Sequence, residues 1–207
     1  MVSAVWAARA AAVSAEAGDS PAAVVVLAVA VRQADGEEQG ITGSIRRFFL
    51  HLFSGPWLVR RHFSDDAMSN IRKAIERSER SHSGQICFVV ESGLHPYQVL
   101  TGLSPRTRAL EVFSNLRAWD TEQNNGVLIY LLMADHDVEI VADRGINQRV
   151  PAAIWTQICR DMEQQFAEGR FEAGVLYGVE QITQLLQQHF PANQNHENEL
   201  PNQPILI

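Results

Sequence analysis

Cysteine is nearly absent from this chain. The two present, Cys87 and Cys159, lie outside any Cys-x-x-Cys pair, so no disulfide framework can be built on them. Each falls in an apolar run and reads as a small core residue. Long apolar runs are missing as well. Ala22 to Val31 is ten residues, about half of the ~20 that a membrane-spanning helix needs. It has the length of a signal-peptide core, and Ala28-x-Ala30 has the form of a cleavage site. However, Glu16 and Asp19 outweigh Arg9 ahead of it, where a secretory segment should be positive. Residues 1–40 are therefore read as a low-complexity leader, expected to be disordered. A signal peptide is not expected, and the location expected is cytoplasmic. Strong charge is lacking where it would matter for nucleic acid. The net charge is -7, and residues 1–40 carry -3 of it while residues 191–207 carry -2. A nearly balanced centre argues against nucleic acid as a partner. Several catalytic signatures are absent too: no P-loop, no G-x-G-x-x-G at a strand–helix turn and no G-x-S-x-G.

What is present is one domain's worth of alternating elements. Residues 41–62 carry four arginines, two histidines and no acid. Within them Ile45, Phe48, Phe49, Leu52 and Phe53 recur at helical spacing. Ser44 reads as the cap and Ser54-Gly55-Pro56 as the stop of a short basic amphipathic helix. Ser64 then caps a helix whose stripe is Met68, Ile71 and Ile75. Ile86–Val90 is a continuous apolar run of strand length, broken by Gly93 and Pro96. Ser104-Pro105 opens a helix that runs to about Leu116. Val127–Met133 is the most apolar strand, and Asp135-His136 turns it back into Val138–Val141 as a hairpin. Ile154, Ile158, Met162 and Phe166 mark one further helix, with Gly169 after it. Val175 to Leu186 marks the last helix. From residue 192 the chain is rich in Asn, Gln and Pro, and a disordered tail is expected over 192–207. The fold class implied is three-layer α/β/α, with a mixed, mostly parallel sheet containing a β-hairpin. The hairpin is expected to form the sheet's centre.

The run Asn124-Asn125-Gly126-Val127-Leu128-Ile129-Tyr130-Leu131-Leu132 is followed by Ala134-Asp135 and Val138–Ile146. Together with Trp119-Asp120-Thr121 upstream and Phe166-x-x-Gly169-x-Phe171-x-x-Gly174 downstream, it resembles the signature of the TPM-domain family. The domain is expected over 63–191. The resemblance implies a bacterial protein with one of two functions. Some family members are reported to bind calcium, and a thylakoid-lumen member is described as an acid phosphatase. One expectation is thus an accessory module that binds a divalent cation or a protein partner. The other is a metal-assisted acid phosphatase acting on phosphate esters. The metal would be calcium or magnesium, and no organic cofactor is expected.

The inferred topology brings the starts of the first two strands and the end of the third to one sheet edge. That edge collects Asp120, Asn124, Asn125 and Asp143, which offer the carboxylate and amide oxygens that calcium takes. Arg144 and His82 are the anion-binding candidates beside them. The same residues also make sense as turns and as a structural ion pair at a strand end. The opposite edge collects Glu91, His95, Asp135, His136 and Asp137; the last three read as plain hairpin-turn residues, and a metal site there would need Glu91 or His95 to converge on them. No nucleophile stands out: Cys87 lacks an arginine five residues on, and Arg61-His62 is not followed by glycine. The basic helix over Ser44–Phe53 has two readings. Its apolar face either docks on the domain, the favoured case given its close tether, or makes a peripheral membrane contact through residues 44–61.

Overall fold

A computed structural model describes residues 41–192, 200 and 202–207. The expectations for the leader, for Ala22–Val31 and for residues 193–199 lie outside these. Among the described residues there are eight helices and four strands: α1 (Ile41–Leu52), α2 (Pro56–His62), α3 (Asp65–Ser78), β1 (Gln85–Glu91), α4 (Pro96–Leu100), α5 (Pro105–Asn115), β2 (Gly126–Leu132), β3 (Asp137–Ala142), α6 (Arg144–Asn147), α7 (Ala152–Ala167), α8 (Phe171–His189) and β4 (Ile205–Leu206). None of the helices is long and apolar enough to cross a membrane.

The sheet order is β3-β2-β1-β4. β1 and β2 are parallel with Gln85 opposite Gly126, and β3 returns antiparallel with Val127 opposite Ala142. Every residue of β1, β2 and β3 is buried. A strand covered on both faces cannot alternate apolar with polar, which is why β1 and β2 read as unbroken apolar runs. Alternate side chains sort into two cores. Phe88, Val90, Ile129, Leu131 and Ile140 face α3, α7 and α8, where Ile71, Ile75, Trp155, Met162 and Val175 meet them. Cys87, Val89, Leu128, Tyr130 and Val141 face α5, where Ala109, Val112 and Phe113 meet them. This is the expected three-layer α/β/α arrangement.

Four details differ from the sequence expectation. The tail is not irregular throughout: Ile205 and Leu206 pair in parallel with Val89 and Val90 of β1, and Leu200 N donates to Gln85 Oε1 at 3.1 Å. The added strand moves the centre of the sheet from the hairpin to the β1–β2 pair. Three short helices were missed. α2 opens on Pro56, the residue read as a stop, and the other two are made by a side-chain cap rather than by periodicity. His95 Nδ1 accepts from Tyr97 N to start α4, and Asp143 Oδ1 accepts from Arg144 N to start α6. Finally, α1 already includes Ile41, so Ser44 is interior to it rather than its cap.

α1 docks on the domain, but through the face opposite to the one expected. Arg47 donates from Nε and Nη2 to the Asp135 carboxylate at 2.7–3.2 Å, and from Nη2 to the Leu103 carbonyl at 2.8 Å. His51 lies 2.9 Å from the same carboxylate through Nε2, while its Nδ1 accepts from Leu94 N at 2.8 Å. The Leu94 N–H therefore fixes the tautomer, with the proton on Nε2. Phe48 packs at the margin of the second core. Ile45, Phe49, Leu52 and Phe53 remain exposed.

Candidate functional site

The sheet edge that gathers the starts of β1 and β2 and the end of β3 forms as the topology requires. Backbone bonds stitch its loops together. Asp143 N donates to Gly126 O, Gly145 N and Ile146 N both donate to Asn124 O, and Asn147 N donates to Asp143 O. Two glycines permit this closeness. A Cβ at Gly126 would lie 1.9 Å from Ala118 O, and one at Gly145 would lie 2.5 Å from Gln123 O. Neither distance is compatible with a side chain, so the crossing of the three loops depends on both glycines.

Asn125 and Asp143 sit inside this stitched edge, each about 1% exposed. Asn125 N donates to Thr121 Oγ1 at 3.0 Å, and Nδ2 donates to the Ser83 carbonyl at 3.1 Å. The Nδ2 bond orients the amide and leaves Oδ1 buried with no hydrogen-bond partner. Asp143 spends Oδ1 on the α6 cap at 2.7 Å, which leaves Oδ2 buried and unpartnered. Burial pushes the Asp143 carboxyl up from its ordinary value. The Arg144 N–H and the Arg144 charge oppose that shift. A third oxygen in the same condition is Asn147 Oδ1, on the last residue of α6. An unsatisfied buried acceptor costs about 1–3 kcal/mol, and all three of these atoms are acceptors. A cation is the kind of group that would satisfy them. Among the described residues no three His, Cys, Asp or Glu side chains are grouped as for a metal, so any cation here would rely on amide oxygens beside the Asp143 carboxylate.

The other expected residues are placed less centrally. Asp120 is exposed and paired with Arg117 Nη2 at 3.0 Å. Asn124, in the left-handed region at φ 53°, accepts from Arg144 Nη2 at 3.2 Å through Oδ1. Arg144 therefore lies at the outer rim, where an anion could meet it. His82 does not reach the rim. It is fully buried, with Nδ1 3.1 Å from Gly84 O and Nε2 2.7 Å from Ser78 Oγ, which in turn meets Thr183 Oγ1. It joins α3 to α8 and is not available to an anion. Asn147 was missed because the sequence reading ended the hairpin strand at Val141 and saw no helical turn after it. The available signal was Asp143 as a cap, with Asn147 four residues on.

At the opposite edge Glu91, Asp135 and His95 are engaged in internal pairs, while Asp137 is buried with its Oδ1 outside any hydrogen bond. Glu91 accepts from Tyr130 Oη at 2.6 Å and from Arg108 Nε at 2.9 Å. Asp135 holds α1, and His95 caps α4. The open depression lined by Arg60, Phe63, Ser64 and Asp65 contains none of the candidate residues.

The model of the family described as the TPM domain matches residues 60–185. The NMR structure of the BA42 protein from the psychrophilic bacterium Bizionia argentinensis sp. nov. is similar to this fold. Its TM-score is 0.63 and its identity 30%, covering 70% of this chain and 95% of that one. No curated protein matches the sequence.

Proposed function

Because this chain belongs to the TPM-domain family, we propose that it is an accessory module that binds a divalent cation, calcium or magnesium, at the edge built from Thr121–Gly126 and Asp143–Asn147. The observation that carries the reading is the set of three buried, unpartnered oxygens: Asn125 Oδ1, Asp143 Oδ2 and Asn147 Oδ1. Hard cations take such oxygens and complete their shell with carbonyls and solvent. Asn124 and Asp120 stand at the rim as outer contributors. Only one carboxylate is buried here, and affinity follows ligand charge. The expected affinity is therefore at the weak end, ~10⁻⁴–10⁻³ M. Burial disfavours the Asp143 charge, so binding strengthens as pH rises and that carboxyl ionises.

The alternative is a metal-assisted acid phosphatase at the same edge, with Arg144 holding the phosphate of the ester. That reaction also requires an attacking group. The hydroxyls nearest this edge, Ser83 and Thr121, are buried and hydrogen-bonded to Gln123 and Asn125. This favours binding without turnover. The test is thermal denaturation with calcium or magnesium added, run beside hydrolysis of a generic phosphate ester under the same conditions. Cation-dependent stabilisation without hydrolysis supports the module. Hydrolysis lost in Asp143→Asn with the fold intact would replace it with the enzyme.

A further inference from the structure

α1 turns Arg47 and His51 to the domain and Ile45, Phe49, Leu52 and Phe53 outward, while α2 buries Val59 in the core and leaves Trp57 outside. Ile45 is 51% exposed, Phe49 49%, Leu52 46%, Phe53 70% and Trp57 57%. The Phe49 and Phe53 rings stack with centroids 6.2 Å apart, which joins these two side chains into an apolar ridge. A helix that served only to complete the core would face the other way. Arg47 and His51, held on Asp135, fix the orientation that keeps the ridge outside.

The charge carried by residues 41–62 has one sign. Arg46, Arg60 and Arg61 are exposed, and residues 41–62 contain no acid. Among the described residues none of the three arginines forms an ion pair. Arg60 and Arg61 follow Trp57 by three and four positions, so they share its side of α2. Exposed apolar side chains, an exposed tryptophan and three exposed arginines within one short segment fit the boundary between lipid headgroups and acyl chains. We propose that this segment is a peripheral membrane-binding surface for an anionic lipid bilayer. The apolar ridge enters the interface, and Arg46, Arg60 and Arg61 meet the headgroup phosphates. A second copy of the chain fits the surface poorly. A two-fold contact through this segment would bring the three arginines near their own copies, with no acid within residues 41–62 to offset them.

Co-sedimentation of the full chain with phosphatidylcholine vesicles, with and without phosphatidylglycerol, tests the proposal. Binding is expected only with the anionic lipid, and it should weaken at high salt. Each arginine contributes roughly fivefold. Arg46→Glu/Arg60→Glu/Arg61→Glu should therefore lose at least about a hundredfold. Phe49→Ser/Phe53→Ser should also weaken binding, which simple charge attraction would not predict. All five positions are exposed, so unchanged circular dichroism is expected for both variants. Failure to bind anionic vesicles at low salt overturns the proposal. So does binding that the arginine variant retains, or a concentration-dependent dimer abolished by Phe49→Ser/Phe53→Ser in a chain that ignores vesicles.

Discussion

Replacing Asp135 with alanine should release α1 while leaving the domain folded. The Asp135 carboxylate is 10% exposed and accepts from both Arg47 and His51. Burial alone would push its carboxyl up. Hydrogen bonds from His51 and Arg47, and the Arg47 charge, instead hold it well below the usual carboxylate range. Breaking a buried ion pair by removing one partner costs about 3–5 kcal/mol. The Arg47 side chain is 25% exposed and can recover water, so ~2–3 kcal/mol is the better figure. The His51 side chain, fully buried, would keep a donor with no acceptor until it moved. A helix of this length is marginal alone in water, and its other attachments among the described residues include Phe48, the Arg47–Leu103 bond, the His51–Leu94 bond and packing against α4. The loss should therefore appear as local opening. Hydrogen exchange of the amides from Arg47 to Leu52 should speed up roughly 30- to 150-fold, while β1 and β2 keep their protection. Because the folded carboxyl lies below its unfolded value, the stabilisation is present above about pH 4 and is lost only as pH falls through the lower folded value. The latch should thus hold at pH 5. Unchanged protection of α1 in Asp135→Ala would refute this reasoning, as would global unfolding with no local phase.

Two further outcomes follow from the geometry. Burial pushes the Glu79 carboxyl up to about 7 against a hydrogen bond from Ile86 N and another from Asn202. A raised folded value means that stability is present below pH 4.5 and is lost as pH rises through 7, by about 3 kcal/mol. Urea unfolding at pH 5 and pH 8 should show this drop, and Glu79→Gln should flatten most of it. An unchanged pH slope in the variant would exclude Glu79 as the cause. Gly145→Ala forces a Cβ against Gln123 O and Asn124 O. It should cost about 1–3 kcal/mol in thermal denaturation and blunt any response to calcium. Wild-type behaviour in both would mean that the loop crossing is looser than described.

The central strands were legible because burial on both faces leaves no polar residue to interrupt them. α3, α7 and α8 were legible because each presents one apolar stripe. β4 was not, since two residues among Pro, Asn and Gln carry no pattern of their own, and their pairing is set by the open edge of β1. α1 shows the limit of periodicity. Its apolar face was read correctly, yet the assumption that such a face turns inward failed. The orientation is decided by Asp135, 88 residues from Arg47 and 84 from His51, which no local window contains. At the site, strand direction alone brought Asn125 and Asp143 to one edge. It could not tell that His82 points into the core, that Asp120 pairs outward, or that a capped turn delivers Asn147.

The most direct measurement is a calcium titration followed through backbone amide shifts, for the wild type and for Asp143→Asn. Asparagine caps a helix as well as aspartate does, so the variant should keep α6 while losing the buried charge. The account predicts saturable shifts at millimolar calcium, confined to Thr121–Gly126 and Asp143–Gln148 and abolished in the variant. No shifts, shifts centred elsewhere, or an unaltered response in Asp143→Asn would contradict it.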